Sequence, residues 1–292
     1  MSDRLQELTV FVRAAETGSF SRTARELGLS QPSVSRIVSA LEARLGAPLL
    51  LRSTRRITTT ETGLALLDRA RQILADVEDA EAQVRGADDL RGLLRVALPV
   101  AYGVREIIPR LPDFMTAHPN LKVELMMADR QEDLVAAGVD VAIRIGPLTD
   151  STFITRKLAT APRMVVASPD YIARRGSPDT PADLVAHDCI LGPGPARQTW
   201  NFRRETSALS VAVEGRLQVA SAEGVIAAAR AGMGLALASL WMCRVELERG
   251  ELQPVLSTFT LEPVDAHLIF PAGRTPSRKA REFADFLGRR AG

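Results

Sequence analysis

The stretch Ser21-Arg22-Thr23-Ala24-Arg25-Glu26-Leu27-Gly28-Leu29-Ser30-Gln31-Pro32-Ser33-Val34-Ser35-Arg36-Ile37-Val38 decides how the front of the chain folds. It reads as a helix, a tight glycine turn and a second helix that begins at a capped end. Ala24 and Leu27 fall on one face of the first helix. Gly28 suits the left-handed conformation that closes a helix. Ser30 is a good N-cap, and Pro32 is tolerated in the first turn after it. Val34, Ile37, Val38 and Leu41 then repeat with helical spacing. The opposite face carries Gln31, Ser33, Ser35 and Arg36, small or polar side chains close to the helix start. A helix-turn-helix needs this arrangement, because the first residues of its second helix meet base edges in the major groove.

On the N-terminal side, Leu5, Leu8, Phe11, Val12 and Ala15 mark one face of a preceding helix. Gly18 closes that helix, and Phe20 is expected to plug a three-helix core. On the C-terminal side the second helix runs to about Leu45, with Gly46 as the stop. Leu49 to Leu51 read as a short strand, followed by Arg52, Arg55 and Arg56 and then Ile57 to Thr60. This predicts a β-wing whose arginines reach phosphates or the minor groove. A solvated basic loop is the alternative.

Several further positions sharpen this reading. Ala24-Arg25-Glu26-Leu27, Leu29-Ser30-Gln31-Pro32-Ser33-Val34-Ser35, Leu41-Glu42, Leu45-Gly46, Leu49-Leu50, Arg52 and Thr60-Glu61-Thr62-Gly63 occur in order and at set separations. Together they resemble the N-terminal signature of LysR-type transcriptional regulators. The resemblance implies that Gln31, Pro32, Ser33 and Arg36 face DNA and that the wing arginines face its backbone. For Ser33 and Ser35, helix capping or solubility is the competing account.

Residues 61–90 follow as one long helix and a break. Leu67, Ala70, Leu74, Val77 and Val84 lie on alternating three- and four-residue steps, interrupted by Glu81. Such a series predicts a coiled-coil seam between two chains, with an amphipathic helix packed on its own domain as the alternative. The resemblance implies a linker helix that pairs two subunits. Gly86 to Gly92 breaks the periodicity and reads as a hinge.

From residue 91 the rhythm changes. Strands are expected at Leu93–Leu98, Leu121–Met127 and Val139–Ile145, with helices at Gly103–Ala117, broken by Pro109 and Pro112, and at Gln131–Ala137. A second set follows. Its strands are Met164–Ala167, Ile190–Leu191, Trp200–Arg203, Leu217–Ala220 and Gly234–Ala238. Its helices are Pro169–Arg175, Ala182–His187 and Ala222–Ala231. Asp265–Phe270 is the last strand and Thr275–Arg289 the last helix. Apolar strands alternating with helices predict a mainly parallel sheet. The resemblance extends over this region through Ala142-Ile143-Arg144-Ile145-Gly146 and Ala231-Gly232-Met233-Gly234. It implies an effector domain similar to periplasmic binding proteins, with one lobe at about 91–162 and 266–292 and the other at about 163–265. The fold class is therefore α/β: a winged helix-turn-helix over 1–60, a linker helix and hinge over 61–90, and a two-lobed effector domain over 91–292.

A ligand in such a fold sits in the crevice at the carboxyl ends of the strands. Chain position nominates Pro99, Val100 and Ala101, before a helix start that can receive an anion. It also nominates Arg144 and Gly146, Ser168, and Ser221 with Ala222. Family members often hold a serine or threonine where this chain has Val100 or Ala101, so the apolar pair implies a more apolar effector, or none. Arg144 suits a ligand carboxylate, or an ion pair with Glu124 or Asp140. Trp200 reads as core.

The charge distribution agrees with a DNA-facing front. The whole chain carries only +2, yet residues 1–60 hold nine arginines against five acids, and residues 61–90 hold three arginines against eight acids. Cys189 and Cys243 are far apart, which suits a reducing cytoplasm. Asp3, Arg4 and Glu7 leave no apolar signal core, and no run of about 18 uncharged apolar residues is present. No phosphate-binding loop or metal-ligand spacing occurs, and Gly232-Met233-Gly234 lacks the rest of a dinucleotide fingerprint. His187 and Cys189 are neighbours in sequence, which does not make a catalytic pair. The expectation is a cytoplasmic regulator that needs no cofactor or metal. Its partners would be double-stranded promoter DNA, a small-molecule effector and a second copy or more of itself, as a homodimer or homotetramer, with no membrane. The competing account is a small-molecule-binding protein or enzyme whose N-terminal helices only mediate association.

Overall fold

The computed structural model describes residues 4–52, 57–84, 90–129, 134, 137–148, 153–193, 197–271 and 276–289. They divide into two compact units. The first holds Met1–Leu90 with Asp133–Val139 and Ser277–Lys279, and the second holds the rest.

In the first unit, α1 (Arg4–Thr17), α2 (Phe20–Leu27) and α3 (Gln31–Leu45) pack as three short helices. Each boundary has a local cause. Ser19 Oγ accepts from the Arg22 N–H and caps α2, while Ser30 Oγ accepts from the Ser33 N–H at 3.3 Å and caps α3. Gly28 and Gly46 adopt φ of 66° and 68° and close the two helices. Val10, Phe11, Ala14, Ala24, Val34, Val38 and Leu41 form the buried core. Phe11 fills its centre with no exposed surface, whereas Phe20, expected to be the plug, is only partly buried at the edge. Phe20 opens α2, and a first-turn position cannot reach the middle of a core that α1 crosses.

The strands β1 (Leu50–Arg52) and β2 (Ile57–Thr59) pair antiparallel as the wing. Glu42 Oε1 on α3 accepts from the Leu49 and Leu50 N–H groups at 2.8 and 3.1 Å and so ties the wing to α3. Arg55 and Arg56 lie outside the described residues, as does the side chain of Arg52.

The helix α4 (Glu61–Val84) has 24 residues and spans about 36 Å. Its start is close to the wing: a Cβ on Gly63 would stand 2.0 Å from the Leu49 carbonyl oxygen, so only glycine fits. Here the expected two-chain seam needs correction. Leu67 (7% exposed) and Ala70 (0%) are buried in the core of their own unit, and Leu74 packs against it. The first turns of α4 close the three-helix core, which lacks a lid otherwise. Among the described side chains of α4, the large apolar ones left exposed are Leu64 and Ile73.

The second unit holds two five-stranded sheets and a three-stranded one. The first sheet uses β3 (Gly92–Leu98), β4 (Leu121–Met127), β5 (Val141–Ile145), β6 (Ile154–Ala161) and, from the end of the chain, Val264–Phe270. The second uses β7 (Arg163–Ala167), β8 (Cys189–Leu191), Leu217–Gln218, Leu235–Ser239 and Gln253–Val255. Between them in sequence come β9 (Arg197–Arg204) and β10 (Ser207–Glu214), a hairpin joined on its β9 side by Thr260–Leu261. In chain order the remaining strands are β11 (Leu217–Gln218), β12 (Leu235–Ser239), β13 (Gln253–Val255), β14 (Thr260–Leu261) and β15 (Val264–Phe270).

Neither large sheet is mainly parallel, contrary to the sequence expectation. β4-β3-β5 are parallel, but β15 runs antiparallel to both β5 and β6. In the second sheet β11-β8-β12 are parallel and β7 and β13 reverse direction. The reversals come from the two crossings. The chain leaves the first sheet after Ala161, passes Pro162 and enters the second at Arg163; it leaves β14, passes Glu262 and Pro263 and re-enters the first sheet at Val264.

Helices cover the sheets. The segment from Val100 to Ala117 stays helical through both prolines: α5 (Val100–Tyr102), a π turn (Gly103–Ile107), a 3-10 turn (Ile108–Arg110) and α6 (Leu111–Ala117). Pro109 and Pro112 lack the N–H groups that the carbonyls four residues back would accept, and the turns widen and tighten instead of breaking. Around the second sheet lie α7 (Pro169–Arg175), a 3-10 turn (Pro181–Ala186), α8 (Ala222–Arg230) and α9 (Leu240–Glu248); α10 (Arg278–Gly288) ends the fold. Gly92, expected in a hinge, is the first residue of β3, while Gly86 and the helix expected at Gln131–Ala137 involve residues outside the described ones.

Candidate functional site

The two faces of α3 differ: one is buried and the other open. Val34, Val38 and Leu41 are fully buried, so the helix is fixed by its back. Gln31, Pro32 and Arg36 are exposed on the other side, and Ser33 and Ser35 are half-exposed. Gln31 is held in place from α2: Ser21 Oγ donates to its Oε1 at 2.9 Å. Ser33 Oγ lies 2.8 Å from Ser30 Oγ, so this hydroxyl shares in the cap and does not stand free.

The arginines of this unit sort into two groups. Arg13 pairs with Glu16 and Glu26, Arg44 with the buried Glu7 at 2.6 Å, and Arg71 with Glu16 at 3.1 Å. Those cations hold the fold together. Arg25 and Arg36 are exposed and have no carboxylate partner among the described residues. Uncompensated guanidinium groups beside an exposed helix start attract phosphates. Sequence reasoning placed Arg25 in a motif without giving it this role; its position on the outer face of α2, opposite Ala24, was the available signal.

The residues nominated for an effector have mixed fates. Pro99, Val100 and Ala101 do stand at the end of β3, with Ala101 4% exposed. Yet the helix start there is not open to an external anion. Asp129 Oδ1 already accepts from the Val100 N–H at 3.1 Å. Arg144 lies on β5 opposite His267 of β15. Neither of its expected structural partners is available: Glu124 pairs with Arg95 at 3.0 Å, and Asp140 Oδ2 accepts from the Arg95 N–H at 2.9 Å. Among the described residues Arg144 makes no ion pair. Gly146 follows at φ 92°, with nothing within 4 Å of where a Cβ would be.

Ser168 corrects the sequence reading. It is 3% exposed, and its Oγ accepts from the Tyr171 N–H at 3.2 Å to cap α7. Ser221 likewise caps α8, accepting from the Gly224 N–H at 3.2 Å, with Ala222 as the first helical residue. The physical reason is shared: a strand end that feeds a helix needs a cap, and a serine there satisfies the backbone first.

Cys189, Cys243 and His187 sit in settings that do not activate them. Burial pushes the Cys189 thiol up to about 12, with Asp188 adding to the shift, and pushes Cys243 up to about 11. Neither provides a thiolate near neutral pH. His187 Nδ1 lies 3.1 Å from the Tyr171 hydroxyl, which also accepts from the Asp188 N–H. Burial and the nearby Arg175 lower the His187 pKa, so this ring packs as a neutral partner of Tyr171. Among the described residues no cluster of histidine, cysteine and carboxylate groups could hold a metal. Trp200 is 2% exposed and belongs to the core of the second lobe. No described helix is long and apolar enough to cross a membrane.

A capped helix-turn-helix with a wing, carrying an exposed basic front, and a two-sheet α/β unit define a DNA-binding protein with a ligand-binding type of domain. Comparison with known proteins names the class. Residues 5–64 match the bacterial regulatory helix-turn-helix protein, lysR family, and residues 87–292 match the LysR substrate binding domain. The chain belongs to the LysR-type transcriptional regulators. It is 32% identical to an uncharacterized HTH-type transcriptional regulator of Haemophilus influenzae, over 93% of this chain and 95% of that one. It is 30% identical to the HTH-type transcriptional regulator CrgA of Neisseria meningitidis, over 98% of this chain and 97% of that one. The solved structure of CrgA from Neisseria meningitidis matches over 100% of both chains, with 29% identity and a TM-score of 0.64.

Proposed function

We propose that this regulator reads promoter DNA with Gln31, Pro32, Ser33, Ser35 and Arg36 in the major groove. Arg52, Arg55 and Arg56 of the wing, together with Arg25, meet the sugar-phosphate backbone. The observation that carries this reading is the two-sided build of α3: a back with no exposed apolar surface at Val34, Val38 and Leu41, and a front where Arg36 has no carboxylate partner among the described residues. One such helix reads a half-site, so two subunits are needed. The pairing face of α4 is the one carrying Ile73 and Val77, since Leu67 and Ala70 are turned inward; the Val84 side chain lies outside the described ones. Pairs of dimers, as homotetramers, extend the same scheme.

The effector binds where the strand ends of the two lobes meet, near Val100, Ala101, Arg144, Gly146 and Ala222. Val100 and Ala101 offer no hydroxyl, and the Val100 N–H is already taken by Asp129, which favours an apolar effector over a small polar acid at that end. The protein works in the cytoplasm, without a cofactor, as a regulator and not as an enzyme. The test is a gel shift with promoter DNA. The wild-type protein gives a retarded band, and Arg36→Ala weakens it with the oligomeric state unchanged. Wild-type affinity in Arg36→Ala overturns the assignment of this face, and substrate turnover that ignores DNA favours the enzyme account.

A further inference from the structure

The lobes of the second unit are joined covalently at two places, at Pro162 and at Pro263. A third connection is made by side chains of one helical segment. Arg105, in the π turn of the first lobe, reaches across to two helices of the second. Its Nε and Nη2 donate to Glu223 Oε1 and Oε2 at 2.6 and 2.9 Å, a two-pronged contact with the first turn of α8. Its Nη1 and Nη2 donate to Glu246 Oε2 and Oε1 at 2.9 and 3.0 Å, a second two-pronged contact with α9. One guanidinium therefore holds two carboxylates that belong to different helices.

The neighbours on the same segment add to it. Tyr102, 5% exposed, meets Trp241 of α9 edge-on with ring centroids 5.3 Å apart. Glu106 pairs with Arg110 at 2.6 Å and lies 3.6 Å from Arg244 of α9. The Arg105 and Glu246 side chains are only 15% and 6% exposed. Water does little to weaken the contact with Glu246, and removing Arg105 strands that carboxylate as a buried charge, whereas Glu223 is 34% exposed and loses less. A lysine cannot replace the arginine, because a point charge has no planar fork to satisfy both carboxylates.

We propose that Arg105 is an inter-lobe latch: by clamping Glu223 and Glu246 it fixes the angle between the two lobes, so that they turn as one body. The wide π turn is what aims it. Pro109 offers no N–H to the Arg105 carbonyl four residues back, and the altered turn carries the Arg105 side chain toward the second lobe. Regulation then proceeds inside a crevice of set width, and not by closure of two free lobes. The latch itself does not depend on where an effector binds.

The test is amide hydrogen exchange on the full-length protein without added ligand. In Arg105→Ala, exchange in residues 100–107, 222–230 and 240–248 should quicken together by on the order of thirtyfold. The cores of the two sheets, read at β3 and β12, should keep wild-type protection. Glu223→Gln, which keeps the size of the side chain, should quicken the same segments less, and Arg105→Lys should not restore them. Unchanged exchange in Arg105→Ala overturns the latch. So does an increase spread evenly over β3 and β12, which marks a loss of global stability only. Where Arg105→Ala fails to fold, Glu223→Gln and Arg105→Lys decide by the same pattern.

Discussion

Glu42 and Leu49 are joined by a hydrogen bond of 2.8 Å from the Leu49 N–H to the Glu42 carboxylate, and the same oxygen also takes the Leu50 N–H at 3.1 Å. A residue on the back of α3 thus sets the position of the wing. The two parts that are proposed to touch DNA move together because one carboxylate holds both.

Glu42→Ala should therefore weaken DNA binding without touching DNA. Two backbone donors lose their partner, at a cost of about 1–3 kcal/mol each where they stay buried. Thermal unfolding should show the first unit destabilised, and a salt titration should show fewer phosphate contacts because the wing is no longer held. A variant with wild-type affinity and wild-type salt dependence would mean that the wing is placed by its own hairpin.

Two large apolar residues of α4 have opposite surroundings. Leu67 is buried in its own unit and Ile73 is 44% exposed. Leu67→Ala should cost about 2–5 kcal/mol of stability in the first unit, the range for a large buried side chain. Ile73→Glu should leave the fold intact and shift the protein from dimer to monomer in sedimentation equilibrium. An unaffected dimer in Ile73→Glu would remove this face from the pairing surface.

The latch gives a pH dependence of defined sign. Burial works against the charged form of Glu246, but hydrogen bonds from Arg105 outweigh it, with help from the helix backbone and the charges of Arg105 and Arg230, and the net effect lowers its pKa. Glu223 and Cys243 are its other titratable neighbours, and the Cys243 thiol stays neutral. A lowered carboxylate stabilises the folded state fully above its ordinary value of 4.5 and loses that contribution as pH falls through the folded value. The stability difference between wild type and Glu246→Gln, measured by urea unfolding, should be constant from pH 6 to about 7 and shrink below about pH 4.5. A difference that does not shrink in acid would mean that the glutamate acts through packing.

Local chemistry made much of this protein legible in advance. Gly28, Ser30 and Gly46 end and start helices through their own backbones and side chains, so a short window suffices to place α2 and α3. The same holds for α7, whose bounds at Pro169 and Arg175 follow from a proline start and a glycine stop. Strands at sheet edges were less legible. β6 and β10 carry mostly exposed side chains, so they lack the apolar run that betrays a buried strand, and their direction depends on partners far away in the chain.

The site divides along the same line. The amino-acid sequence determined the class of protein, which face of α3 stays exposed and the two-lobed plan, because each rests on residue types at short, fixed spacings. Only the tertiary structure decided that Leu67 and Ala70 face inward, that Ser168 caps a helix, that Asp129 fills the start of the 100–117 segment and that Arg105 clamps Glu223 and Glu246. Those contacts join residues from 3 to 141 positions apart. For the distant ones, spacing along the chain carries no information about which side chain a folded neighbour will meet.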